Sequence, residues 1–184
     1  HKDGIATTQT YHLDDYNDDD YTLLIGSHDN GVKYRDTDTD YFSNVGSGDG
    51  FDVAINYSDP TKGFAVFNSS VKKYSHFINN NWQHLKTTSW FPQIEINTSD
   101  PERVYFADDS VYTEKNGTET LLGNGIINGY NALKTCPSNS NRIYAAAGTG
   151  WRIFKGKFYI SNDAGTSWDT VSNNPGFPNM VGQP

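Results

Sequence analysis

The sequence predicts an all-β protein built from four copies of one four-stranded unit. Strand-forming residues, including 12 Tyr, 10 Phe and 4 Trp among 184 residues, alternate with short stretches of Asn, Ser, Asp, Gly and Thr. No stretch shows the 3.6-residue apolar period of an amphipathic helix. The sequence also lacks a run of about 18 apolar residues, the feature that would predict a membrane span.

The second observation is a repeat with a period of about 40 residues. Three segments share an alternating apolar run, a turn rich in Ser, Asn, Asp and Pro, and a second apolar run; they are 51–67, 91–107 and 130–146. Aligning Ser58, Ser99 and Ser138 in these turns gives steps of 41 and 39 residues. A more divergent copy precedes them, and its Asp18 lies 40 residues before Ser58. This period, with four short strands per unit, is typical of a β-propeller blade.

Each unit is expected to contain its strands in the same order. The turn at Ser58-Asp59-Pro60 and its equivalents join the first and second strands, because Pro presets φ for a tight turn. Third strands are expected at 32–35, 71–74, 110–112 and 157–160, and fourth strands begin near Tyr41, Trp82, Thr120 and Trp168. The predicted blades span about 4–46, 47–86, 87–124 and 125–174, followed by a tail or linker at 175–184.

The turn between the last third and fourth strands has a distinctive composition. Asp163 can accept hydrogen bonds from backbone N–H groups of its own turn, and Gly165 can adopt a positive φ. Trp168 can lie back over the turn as an apolar cover. The residues assigned to this structural turn are Ser161, Asp163, Gly165 and Trp168.

This stretch, Ser-Asn-Asp-Ala-Gly-Thr-Ser-Trp at 161–168, resembles an Asp-box, the BNR repeat of sialidase-like, sortilin-like (Vps10) and xyloglucanase-like propellers. Segments 25–31 and 48–51 resemble parts of secreted Bacteroidetes propeller proteins. The resemblance covers roughly residues 5–172 and implies a partial propeller of about four blades. It also implies that further blades are supplied by the same chain or by another chain.

Asp29 and Asp49 are the candidate catalytic residues. The run 29–35, Asp-Asn-Gly-Val-Lys-Tyr-Arg, is similar to the Asp-x-Gly-Gly-x-Tyr-Arg pattern of xyloglucanase-type glycosidases, although the Gly-Gly spacing is not kept. In that pattern the Asp can be catalytic. Hydrolysis needs a second carboxylate at roughly 5–10 Å, and Asp49 is the candidate because Gly48 and Gly50 let its loop approach the propeller axis. The alternative is that both carboxylates cap turns.

Asp36, Asp38 and Asp40 form the candidate metal site. Their alternation can present oxygens to Ca²⁺, although the Gly and the distal Glu of an EF-hand loop are absent. The alternative is a solvated acidic loop. The histidines show no spacing typical of zinc ligands. Weak calcium binding is therefore the one cofactor hypothesis.

Trp90, Trp151 and Arg152 are the candidate ligand-binding residues. An exposed Trp beside an Arg can stack on a sugar ring or anchor a protein partner. Trp90 lies beside the start of a first strand, and Trp151 and Arg152 follow a Gly-rich segment before the last hairpin. The alternative is aromatic packing between blades.

Charge and cysteine content exclude several classes of function. The net charge of −8 and the pI of about 4.9 disfavour nucleic acid as a partner, since phosphate binding needs a basic face. Cys136 is the single cysteine, so no internal disulfide can form. The chain begins at His1 without a signal-peptide pattern, and we expect it to be a segment of a longer protein.

Together these patterns predict a non-catalytic β-propeller module of a larger secreted or cell-surface protein. We expect it to bind a protein or a glycan through its loop face. One alternative is a xyloglucanase-like glycoside hydrolase that uses Asp29 and a second carboxylate. The other alternative is a structural spacer.

Overall fold

The computed structural model describes residues 8–16, 22–36, 38–39, 41–77, 81–88, 92–124, 126, 131–149 and 153–176. Most of these residues lie in strands, and within these ranges the only helical element is a 3₁₀ turn at Val171–Asn173. The strands form antiparallel sheets of four strands each, in which neighbours along the chain are neighbours in the sheet. No helix in the described ranges is long and apolar enough to cross a membrane.

The chain divides into two compact units, and the first is His1–Thr87. Its first sheet contains β1 (Thr10–Tyr16), β2 (Thr22–Ser27), β3 (Gly31–Arg35) and β4 (Ser43–Gly46). Its second sheet contains β5 (Gly50–Ile55), β6 (Gly63–Phe67), β7 (Ser70–His76) and β8 (Asn81–Thr87).

The core of the first unit lies between its two sheets. Leu24, Val32, Tyr34 and Val45 come from the first sheet, and Val53, Ile55, Ala65, Phe67, Tyr74 and Phe77 come from the second sheet and the turn after β7. The Phe77 ring lies 4.8 Å from the rings of both Tyr34 and Tyr74. The Tyr74 hydroxyl donates to the Val45 carbonyl at 2.7 Å, and burial raises the pKa of this phenol. Three stacked aromatic rings thus join the two sheets.

Strand β5 is buried along its whole length because β1 covers it. Its buried carboxylate, Asp52, pairs with His12 of β1. Its backbone N–H at Ile55 donates to the carboxylate of Asp14 at 2.7 Å. Polar side chains of β1 therefore bond to buried polar groups of β5, as buried polar groups require.

The second unit, Thr88–Pro184, repeats the arrangement. Its first sheet contains β9 (Gln93–Asn97), β10 (Asp100–Ala107), β11 (Val111–Lys115) and β12 (Thr118–Gly123). Its second sheet contains β13 (Asn131–Cys136), β14 (Asn139–Thr149), β15 (Ile153–Ser161) and β16 (Asp169–Thr170). One buried cluster of this unit contains Tyr105, Ala107, Val111, Leu133, Ile143, Ala145 and Tyr159.

Two turns between first and second strands, after β5 and after β9, are capped by a buried asparagine that the sequence pattern did not indicate. Asn56 Oδ1 accepts the backbone N–H groups of Ser58 and Asp59 at 2.8 and 3.2 Å. Asn97 Oδ1 accepts the Ser99 N–H at 2.9 Å in the corresponding turn of the second unit. An Asx turn of this kind ends one strand and starts the next. The side-chain amide, in addition to Pro, therefore sets these turns.

Replacing Phe77 by Ala is expected to destabilise the first unit severely. The side chain is fully buried and contacts two aromatic rings, so its loss leaves a cavity that costs about 3–5 kcal/mol in the free energy of unfolding. Urea unfolding monitored by circular dichroism measures this. Phe42→Ala is the matched control, because Phe42 is 43% exposed and its loss should cost much less. Equal costs for the two variants would contradict this packing.

Candidate functional site

A close contact between backbones brings two loops of the first unit together. A Cβ atom at Gly26 would lie 1.9 Å from the carbonyl oxygen of Phe51, and one at Gly50 would lie 2.3 Å from that of Gly31. Only glycine therefore allows the end of β2 and the start of β3 to touch the start of β5. The contact places the β2–β3 turn, residues 28–30, beside Asp49, which immediately precedes β5.

Three side chains converge at this contact: His28, Asp29 and Asp49, which we call the Asp29 cluster. One potential ligand atom from each lies within 4.8 Å of the others. Asp49 Oδ1 accepts the backbone N–H of Asp29 at 2.8 Å, and His28 Nδ1 lies 3.3 Å from Asp29 Oδ2. Asp29 has a φ of 55°, in the left-handed region that Asp tolerates better than most residues. The turn therefore points its carboxylate outward, and the side chain is 77% exposed.

Tyr11 of β1 lies against the Asp29 cluster. Its ring packs edge-on against the His28 imidazole, with centroids 5.7 Å apart, and lies 5.5 Å from the Phe51 ring. The residue remains 40% exposed. Burial, and then the negative charges of Asp49 and Asp29, raise the pKa of Tyr11 above its usual value of 10.0. This edge of the unit thus combines an exposed aromatic ring with a negative electrostatic potential.

The structure brings the two predicted catalytic residues together. Asp29 and Asp49 meet at one exposed edge, where one oxygen atom of each carboxylate lies within 4.8 Å of the other. Asp49 also has the alternative role, because it caps the Asp29 turn. Sequence reasoning did not include His28 or Tyr11 in the site. His28 could have been noticed as the neighbour of Asp29, whereas Tyr11 is far away along the chain.

Two residues of the predicted calcium site, Asp36 and Asp38, lie among the described residues. Asp36 and Asp38 do not belong to the three-residue group that could hold a metal in the described regions, and the Asp36 carbonyl accepts a backbone hydrogen bond from Thr39. Calcium binding there stays a prediction. Asp40, Trp90, Trp151 and Arg152 lie outside the described residues.

Side chains of Ser161, Asp163 and Trp168 make hydrogen bonds within the turn between β15 and β16. Asp163 Oδ1 accepts the Ser167 N–H at 2.8 Å, and Oδ2 accepts the Ser167 hydroxyl at 2.6 Å. The Ser161 hydroxyl accepts the Gly165 N–H at 2.8 Å, and Gly165 has a φ of 91°. The Trp168 indole N–H donates to the Gly165 carbonyl at 3.0 Å, so the ring covers the turn. These hydrogen bonds of Ser161, Asp163, Gly165 and Trp168 stabilise the hairpin.

Comparisons with known proteins show the fold of the chain. No protein-family model matches it, and no curated protein matches its sequence. The GH74 enzyme of Niastella koreensis superposes with a TM-score of 0.66 at 16% identity, over 85% of this chain and 28% of that enzyme. The GH74 xyloglucanase of Xanthomonas campestris gives 0.60 at 12% identity, over 82% and 28%. The calcium structure of the Trichoderma reesei carbohydrate-active enzyme of family AA12 gives 0.64 at 10% identity, over 88% and 55%.

The chain has a β-propeller fold. The predicted fold class, all-β with blade-like sheets of four antiparallel strands, is confirmed. The chain spans little more than a quarter of the length of the GH74 enzymes that it matches. At these identities the likeness concerns the fold alone, and function has to be argued from the site.

Asp163→Asn is expected to lower the melting temperature at pH 7, and this loss should shrink as the pH falls. The Ser167 hydroxyl, followed by the Ser167 N–H and the Ser161 hydroxyl, lowers the pKa of Asp163 from 3.8 to about 2. A carboxylate with a lowered pKa stabilises the fold above its unfolded pKa, and this contribution disappears between about pH 4 and pH 2.

Thermal melts of both proteins from pH 2 to pH 7 measure this. The control is Asp169→Asn in β16, which changes an exposed carboxylate outside the turn. A melting difference for Asp163→Asn that stays constant across the whole range would contradict the charged hydrogen bonds.

Proposed function

We propose that this chain is a non-catalytic β-propeller segment that binds a glycan at the edge formed by Tyr11 and the Asp29 cluster. The observation that carries the proposal is Tyr11 itself, an aromatic residue that stays 40% exposed beside two carboxylates and an imidazole.

This combination of groups suits a sugar. The apolar face of a pyranose ring stacks on an aromatic ring, while its hydroxyl groups donate to carboxylate oxygens. Asp29 is 77% exposed and His28 is 46% exposed, so both can reach a ligand. The Phe51 and His28 rings contact Tyr11 and hold its orientation, which reduces the entropy lost when a ligand binds.

The setting of the chain supports the same function. The solved structures that share its fold include a xyloglucanase and a carbohydrate-active enzyme of another family. We infer from these that the chain belongs to a larger secreted or cell-surface protein. Further blades of the same or another chain would complete the propeller, because the chain spans 28% of the GH74 enzymes and 55% of the AA12 enzyme.

Tyr11→Ala is expected to weaken glycan binding at least tenfold, equivalent to about 1.4 kcal/mol. A glycan array that includes xyloglucan and other β-glucan oligosaccharides identifies a ligand for the wild-type protein, and titration calorimetry then compares the variants. Tyr41→Ala is the matched control, because Tyr41 is 66% exposed and makes no ring contact with the Asp29 cluster. Wild-type protein that binds no glycan, or a Tyr11→Ala variant with unchanged affinity, would overturn the proposal.

Hydrolysis by Asp29 is the second candidate function. It is favoured by the short distance between the two carboxylates, since retaining glycosidases place theirs about 5–5.5 Å apart. The hydrogen bond from the Asp29 N–H to Asp49 speaks against it, because it gives Asp49 a structural role in the turn.

Release of reducing sugar from xyloglucan separates these functions. We expect no release above background from the wild-type protein. Two results together would instead establish the hydrolase. The wild-type protein would release reducing sugar, and Asp29→Asn would abolish this release without changing the melting temperature. A protein that neither binds nor cleaves glycans would be a protein-binding module or the structural spacer.

A further inference from the structure

We propose that the Asp29 cluster binds a divalent transition-metal ion through His28, Asp29 and Asp49. This inference goes beyond glycan binding and requires no glycan. One imidazole nitrogen and two carboxylate oxygens are a donor set that ions such as Zn²⁺ accept.

The geometry of the three donors fits one ion. Three atoms that lie within 4.8 Å of one another can all lie within about 2.8 Å of one point, so an inward movement of at most about 0.7 Å gives bonds of about 2.1 Å. The side chains of Asp29 and His28 are 77% and 46% exposed, and rotation about their side-chain bonds can supply this movement. An ion held in this way keeps its remaining positions open on the exposed side.

The backbone holds the donors together before any ion binds. Asp29 and Asp49 are 20 residues apart in sequence, and the hydrogen bond between them fixes one loop against the other. The glycine contacts at Gly26 and Gly50 prevent the loops from separating without breaking the packing of β5. Binding therefore needs little ordering of the chain, which favours affinity.

The charge around the cluster also favours a cation. Some other carboxylates of the described residues have a cationic partner: Asp59 pairs with Lys62 at 2.9 Å and Asp100 with Lys115. Among the described residues, the ion pair made by the Asp29 cluster is internal, between His28 and Asp29. Two like charges held this close are stabilised by a bound cation.

The donor set distinguishes between classes of ion. Ca²⁺ takes six to eight oxygen ligands and Mg²⁺ keeps most of its water, whereas imidazole suits Zn²⁺ and related ions. We therefore expect Zn²⁺ to bind more tightly than Ca²⁺ or Mg²⁺. This site is separate from the predicted calcium site at Asp36, Asp38 and Asp40.

Titration calorimetry of tag-free protein with ZnCl₂, without any glycan, tests the site. We expect one Zn²⁺ per chain and an upward shift of the melting temperature with Zn²⁺ concentration. His28→Gln and Asp49→Asn should each weaken binding at least tenfold, because even outer-shell partners of metal ligands contribute about 10–100-fold. The Asn side chain at position 49 can still accept the Asp29 N–H, so the turn is kept.

The matched controls are His84→Gln and Asp109→Asn, which remove an exposed imidazole and an exposed carboxylate outside the cluster. Both should bind Zn²⁺ as the wild type does. The proposal is overturned if the wild-type protein takes up no Zn²⁺, if the cluster variants bind as well as the controls, or if Ca²⁺ binds more tightly. Melting temperatures without metal show that each variant is folded. Because the titration contains no glycan, a failure to bind Zn²⁺ would not contradict the glycan-binding proposal.

Discussion

The site depends on one interaction, a direct backbone contact. In this contact the end of β2 and the start of β3 lie against the start of β5. Gly26 and Gly50 make this contact, and a side chain at either position would collide with a carbonyl oxygen. The contact places the Asp29 turn beside Asp49 and leaves both at an exposed edge. Because the positions are set by packed strands, the geometry of the site follows from the fold of the first unit and needs no ligand.

Acidic and amide side chains have two different roles in this chain. In the turns at Asn56, Asn97 and Asp163, side-chain oxygens accept backbone N–H groups of the same turn. One carboxylate oxygen of Asp49 accepts the backbone N–H of Asp29, which is 20 residues away in the sequence. The exposed carboxylate of Asp29 points away from its own turn. An Asp or Asn that forms a turn becomes a candidate ligand-binding residue when its side-chain oxygens stay exposed and a second segment of the chain places further polar groups beside them.

The fold alone does not select among functions. Chains of the GH74 and AA12 families share it with this chain at 10–16% identity. Among the described residues, one edge of the first unit combines an aromatic ring, an imidazole and two carboxylates. The proposed glycan site uses the ring face of Tyr11 and the carboxylates of this edge. The proposed metal site uses His28 and the same two carboxylates, so the two ligands would share Asp29 and Asp49.

The sequence by itself determined the sheets, the strand order and the turn at Asp163. These features depend on local patterns: alternation of apolar residues, turn formers at a period of about 40, and an Asp whose partners lie within four residues. It also indicated Asp29 and Asp49 as a pair. Only the tertiary structure brought Tyr11 and His28 to that pair, and only it showed that Asn56 and Asn97 are buried turn caps. These outcomes depend on which strands touch, and that is decided by packing between sheets, which no local pattern records.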